Sequence, residues 1–168
     1  MSDGKITRQQ QQAVMDAFNL RLGRAVAGWG YVESGLCQYF LRLTGMNQGP
    51  NSVTGRRIFY SGFGFDSRAR MLGAVLGWVK TKPDINEWLN KIIGKARNYA
   101  GSRNEILHGD VLFIGYEKSK YFGQSIILQG SRHWHADPPD SEVITAQKLE
   151  YAAENFGRLA AIIAVGLN

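Results

Sequence analysis

Apolar residues recur at every third or fourth position early in the chain: Leu22, Ala25, Val26, Trp29, Val32, Leu36, Phe40 and Leu43. That spacing draws one stripe along a helix, predicted from Thr7 to Thr44. A helix of this length must bury its stripe against other elements, so a helical bundle is the natural fold. Gly23, Gly28 and Gly30 predict a break or kink within it.

The same period returns further on. Gly45 to Ser52 (GMNQGPNS) is a turn signal, and a short helix is predicted from Val53 to Tyr60. After SGFGFD, Asp66 is a good N-cap, and Met71, Leu72, Val75, Leu76 and Val79 form a buried stripe. TKPD ends that helix and starts another, capped by Asp84 and running to His108 with Gly109 as its C′ residue. VLFIGY and YFGQSIILQ, joined by EKSK, then predict a β-hairpin over 110–130. SRHWHADPPD is a loop. From Thr145, a last helix turns Leu149, Ala152, Ala153, Phe156, Leu159, Ala160 and Ile163 inward. The predicted fold class is mainly α: an up-and-down bundle of four main helices with a β-hairpin inserted before the last. It forms one domain over 1–168 with its core at about 20–167.

Composition narrows the setting. A hydrophobic content of 44% supports a core and excludes a disordered chain. A single cysteine, Cys37, excludes an internal disulfide; within an apolar helical run it reads as a buried thiol, as suits a reducing cytosol. The most apolar run, Leu159 to Leu167, is nine residues long, short of the roughly 20 that a bilayer span needs. MSDGKITRQQQQ lacks the apolar block of a signal peptide. A cytoplasmic protein without a membrane partner is expected.

The net charge of +6 is unevenly placed. Between Arg42 and Arg103 there are eleven Lys/Arg and three Asp/Glu; elsewhere there are nine and eleven. A basic middle third points to an anionic partner such as nucleic acid, or to a solvated basic surface. Arg56 and Arg57 beside Tyr60 make a basic and aromatic pair suited to RNA contact.

Three charges break the apolar stripes. On a wheel of about 100° per residue, Arg103 falls within the face of Ile85, Trp88, Leu89, Ile92, Ala96, Tyr99, Ile106 and Leu107. Glu33 lies about 20° from the line of Leu22 and Phe40. Arg68 runs with Leu72, Val75 and Val79, although in a first turn it is also able to snorkel to water. A lone cation in an apolar core costs several kcal/mol, so Arg103 is expected to meet Glu33. Asn104 and His108, four residues apart, share a face at the stripe's edge. A histidine closing a helix also suits the C-terminal dipole.

RNEILH, Arg103 to His108, resembles the R-x4-6-H motif of HEPN domains, with Asn104 in the polar position after the arginine. VESGL around Glu33 and FDSRARMLGAVL around Arg68 precede it in the order of HEPN-like bundles. The resemblance spans about residues 20 to 167; the inserted hairpin departs from the simplest form. It implies a metal-independent endoribonuclease with catalytic Arg103 and His108 oriented by Asn104, supported by Glu33 and Arg68. It further implies a homodimer with the site at its two-fold interface, RNA as substrate, no cofactor, and a toxin or defence role with an antitoxin partner. In such chemistry a histidine moves a proton, and an arginine stabilises the charge gathering at phosphorus. Arg103 and His108 are about 140° apart on an ideal helix. Either the last turn is distorted, or a second chain brings its own copy.

Two other readings stand beside this one. Glu33, Arg103 and His108 also suit a non-catalytic HEPN-like binding or assembly module in which they form a structural network. His133-x-His135 near Asp137 suggests a metal site, but two or three ligands in a Pro-rich loop are few, and no metal is expected. No nucleophile elbow or Cys/His arrangement is present.

Overall fold

The computed structural model describes residues 6–129 and 138–167. The chain is mainly helical: α1 (Arg8–Leu43), α2 (Gly49–Ser61), α3 (Gly64–Trp78), α4 (Pro83–His108) and α5 (Ala146–Gly166). Between α4 and α5 lie β1 (Asp110–Phe113), β2 (Ser125–Leu128) and β3 (Val143–Ile144). The strands form one antiparallel sheet in the order β1-β2-β3. The predicted hairpin is therefore present and gains a third, two-residue strand. Among the described residues, no helix is long and apolar enough to cross a membrane.

Thr7 starts α1 with a capping box. Its backbone N–H donates to Gln10 Oε1 at 2.9 Å, and the Gln10 N–H donates back to Thr7 Oγ1 at 3.2 Å. The helix then runs 36 residues without the break expected at Gly23, Gly28 and Gly30. Each mid-helix glycine costs about 1 kcal/mol relative to alanine. Burial of Ala25, Trp29 and Val32 on the inward stripe offsets that cost. A Schellman turn ends the helix: Gly45 has φ 69°, the Met46 N–H donates to the Leu41 carbonyl, and the Gly45 N–H donates to that of Arg42.

Other boundaries differ from expectation for identifiable reasons. The second helix starts at Gly49 rather than Val53, because Pro50 fits a first helical turn. The third starts at Gly64, so Asp66 lies inside its first turn rather than capping it. There its carboxylate receives both Arg70 and Arg97. The fourth opens on Pro83, which places Asp84 within the helix as well. Both carboxylates still sit where the dipole favours them.

The described residues divide into two compact units: residues up to Ala27 with Ser102–Glu154, and Gly28–Gly101 with residues from Asn155 onward. In the first, all four residues of β2 are buried. Ile126 and Leu128 pack with Tyr121 and Val143, joined by Leu112 and Ile114. Ile127 points to the opposite side, as strand alternation requires. The hairpin loop is longer than EKSK: Ile114 still exchanges backbone hydrogen bonds with Gln124 and Gly123 before the chain turns. Asp140 fastens this loop by accepting from Lys120 at 2.8 Å and from the Tyr121 hydroxyl. Lys148 Nζ donates to the carbonyls of Asp140 and Val143 at 2.8 and 2.7 Å.

In the second unit, aromatic rings fill the core. Trp29 meets Phe65 and Phe156 edge-on, with centroids 4.8 and 5.2 Å apart. Tyr39 packs on Trp88, and its hydroxyl donates to the Ile163 carbonyl at 3.2 Å. Small residues permit close helix contact: a Cβ on Gly35 would strike Ile163, and one on Gly55 would strike Leu41. Cys37 is buried, as its place in an apolar run suggests.

Candidate functional site

The residues singled out by the sequence fall into two groups. Arg103, Asn104 and His108 end α4 in the first unit. Glu33, Arg68, Arg56 and Arg57 belong to the second.

In the first group, helix geometry decides who meets whom. Ile106 is buried, and Arg103, three residues before it, is half-buried. The Arg103 Nη1 donates to Asn104 Oδ1 at 2.8 Å. Its Nε is buried and has no hydrogen-bond partner among the described residues. The guanidinium is thus held at one edge while another of its N–H groups is left unsatisfied, an arrangement that costs free energy unless something accepts it. Asn104 and His108 are exposed. Leu107, expected in the apolar stripe, is 40% exposed, as is Ile85 at 41%, so the stripe frays at both ends of α4.

α4 remains α-helical through His108. The distorted last turn that would swing His108 toward Arg103 is therefore not the arrangement found. On a regular helix the two stay about 140° apart around the axis. His108 is the basic residue of the last turn, placed where the helix dipole favours a cation.

Gly109 fixes how the helix end meets the sheet. Its φ is not positive, so it is not the left-handed C′ residue predicted. Proximity explains the glycine instead. A Cβ there would lie 3.0 Å from the Leu128 carbonyl oxygen and 3.2 Å from that of Glu105, and it would overlap Ile127 Cγ2. The absence of a side chain lets β2 press against the corner between His108 and Asp110. β1 begins at once, pairing Asp110 with Leu128.

In the second group, Arg68 Nη1 reaches Glu33 Oε1 at 2.8 Å, with side chains only 17% and 14% exposed. The sequence pattern pairs Glu33 with Arg103, and the packing does not. Within its own unit each holds a different partner: Arg68 for Glu33, Asn104 for Arg103. The signal for the Glu33–Arg68 pair was present, since both residues break their stripes. Choosing between two candidate cations required the packing. The Arg68 guanidinium also lies over the Tyr60 ring, 5.2 Å from its centroid. That contact has no sequence signature.

Arg56 and Arg57 are exposed on α2. The Cys37 thiol is pushed up by burial, with the Arg56 charge and a hydrogen bond to Tyr60 pulling the other way. Burial likewise raises the Tyr60 phenol, reinforced by Cys37 and Glu33 and opposed by Arg68 and Arg56. His133, His135 and Asp137 lie outside the described residues. Among the described residues, no group of three His, Cys, Asp or Glu side chains is arranged to hold a metal ion. No family model matches the chain, and neither a curated protein nor a solved structure matches it.

Proposed function

We propose that this protein is a metal-independent endoribonuclease of the HEPN type, acting as a homodimer. The observation that carries the reading is an exposed His108 closing the same helix on which Asn104 holds the Arg103 guanidinium by one edge. In the proposed reaction the ribose 2′-hydroxyl attacks the adjacent phosphorus and the bond to the 5′-oxygen breaks. A 2′,3′-cyclic phosphate and a 5′-hydroxyl end result. His108 moves the proton, taking it from the 2′-hydroxyl or delivering it to the leaving oxygen. Arg103 offers its remaining N–H groups to the phosphate oxygens as charge builds. Because Arg103 and His108 of one chain point about 140° apart, the phosphate is served by both copies across a two-fold axis. A role as a toxin or defence effector in the cytoplasm, restrained by an antitoxin, fits such an activity.

A second reading, a non-catalytic HEPN-like module, is favoured by one observation. The Glu33–Arg68 pair is mutually charge-compensated and largely buried, as a structural register device would be.

Incubating the purified protein with mixed RNA in EDTA separates the readings. Fragments with cyclic phosphate ends, lost in His108→Ala while the fold and dimer persist, are expected. DNA should stay intact. If His108→Ala changes no RNA-related property while Arg103→Ala unfolds the chain, the structural reading replaces cleavage. Activity abolished by EDTA would point to metal chemistry instead.

A further inference from the structure

The second unit carries eleven Lys/Arg against four Asp/Glu, so its surface bears a surplus of +7. Three of these cations are engaged in surface ion pairs: Arg70 and Arg97 share Asp66, and Lys91 holds Glu87. Arg56 and Arg57 differ. Both are exposed on α2, and neither makes an ion pair among the described residues.

Helix geometry gathers them with an aromatic ring. At about 100° per residue, Val53, Arg56, Arg57 and Tyr60 fall within an arc of about 100° on the solvent side of α2. Gly55 and Phe59 occupy the buried side. Tyr60 remains 43% accessible, yet it is not a loose surface side chain. Its ring lies under the Arg68 guanidinium, which Glu33 fixes at 2.8 Å, and it meets Phe59 edge-on at 5.2 Å. A ring held by two such contacts has less rotamer freedom left for binding to remove. The Glu33–Arg68 pair thus acquires a role that its place in the core did not suggest: it holds a stacking platform still.

We infer that the solvent face of α2 binds single-stranded RNA, with a base stacked on the face of the Tyr60 ring opposite the Arg68 guanidinium and neighbouring phosphates held by Arg56 and Arg57. Single strands suit this face because their bases are free to stack, and a flat aromatic ring beside two cations is the usual means of holding them. The surface shares with the proposed cleavage only its class of ligand, and it lies on a different unit from His108.

The test uses a fluorescent oligouridylate of about 12 nucleotides, within the usual footprint of such surfaces. Its sugars carry 2′-O-methyl groups, so it cannot be cut by 2′-hydroxyl attack, and binding is scored apart from cleavage. Tyr60→Leu should weaken binding by roughly tenfold, while Tyr60→Phe, which keeps the ring, should bind within about twofold of the parent. Arg56→Gln with Arg57→Gln should lower the slope of log affinity against log salt by about 1.4, the release expected for two phosphates. Lys95→Gln, an exposed charge on another helix, controls for net charge and should change little. Circular dichroism checks that each variant is folded. The inference is overturned if the parent fails to bind, or if folded Tyr60→Leu binds as the parent does. It is equally overturned if Lys95→Gln weakens binding as much as the paired arginine change, or if an acidic peptide displaces the RNA at equal charge concentration.

Discussion

The two units handle charge in opposite ways. The unit built on Gly28–Gly101 carries a large positive surplus, yet the two ions that enter its apolar stripes, Glu33 and Arg68, neutralise each other at 2.8 Å. The unit containing Ser102–Glu154 is nearly balanced, with nine basic and ten acidic residues. Its half-buried Arg103 donates only to a neutral amide, Asn104. The buried Nε of each arginine lacks a hydrogen-bond partner among the described residues, so the two differ in counter-charge, which Arg68 has in Glu33. Its ion pairs are spent at the surface, where Lys120 and Asp140 fasten a loop. Overall balance therefore says little about whether an individual buried charge is satisfied. A charge-compensated pair suits a structural task, such as holding Tyr60. A guanidinium without a carboxylate beside it is the kind that retains capacity for an anion.

The sharpest way to break this contrast is to open the compensated pair. Glu33→Ala leaves the Arg68 guanidinium largely buried without a counter-ion. It should cost about 3 kcal/mol, read from chemical denaturation. Glu33→Met combined with Arg68→Met should recover much of the loss, because replacing both ions by apolar groups removes the desolvation penalty. If Glu33→Ala costs no more than an exposed substitution, the pair is not the structural device described.

Gly109→Ala probes the other unit at the helix–sheet corner. The added methyl meets Ile127 and the Leu128 carbonyl, so β2 must shift. A loss of about 2 kcal/mol is expected, in the range of overpacked cores. Weakened hydrogen-exchange protection should be confined to β1 and β2. Protection lost first in α2 and α3 would contradict the separation of the units.

The smallest effect concerns pH. Cys37, Tyr39 and Tyr60 in the basic unit are all raised, first by burial. Groups raised in the folded state stay protonated after the unfolded chain has released its protons. Their contribution is whole below the ordinary values, 9.0 for the thiol and 10.0 for the phenols, and is lost as pH rises past them. Asp140 in the balanced unit is lowered, chiefly by its hydrogen bond to Lys120. Its contribution is present above the ordinary value of 3.8 and is lost as pH falls below it. Stability should fall on both limbs, and Cys37→Val should flatten the alkaline limb alone, by at most about 1.4 kcal/mol per pH unit for one proton. An unchanged alkaline slope in Cys37→Val would remove the thiol from the account.

Much of the architecture was legible in the order of residues. The helix expected from Thr7 to Thr44 runs from Arg8 to Leu43, and the apolar stripe from Leu22 onward marks its buried half. Thr7 and Gln10 supplied its cap in a form readable from spacing alone. The hairpin followed from two apolar, β-prone runs joined by the polar segment EKSK. The sequence also showed which charges would enter the apolar faces, because a stripe position is defined by local geometry. Partner choice was another matter. Whether Glu33 takes Arg68 or Arg103, why Gly109 must lack a side chain, and what lies over Tyr60 all depend on residues distant along the chain. β3 escaped notice for the same reason: two residues carry no period, and only pairing with β2 makes them a strand. Periodicity is a property of one segment and can be read from it. The satisfaction of a buried charge belongs to the space between segments, and packing alone decides it.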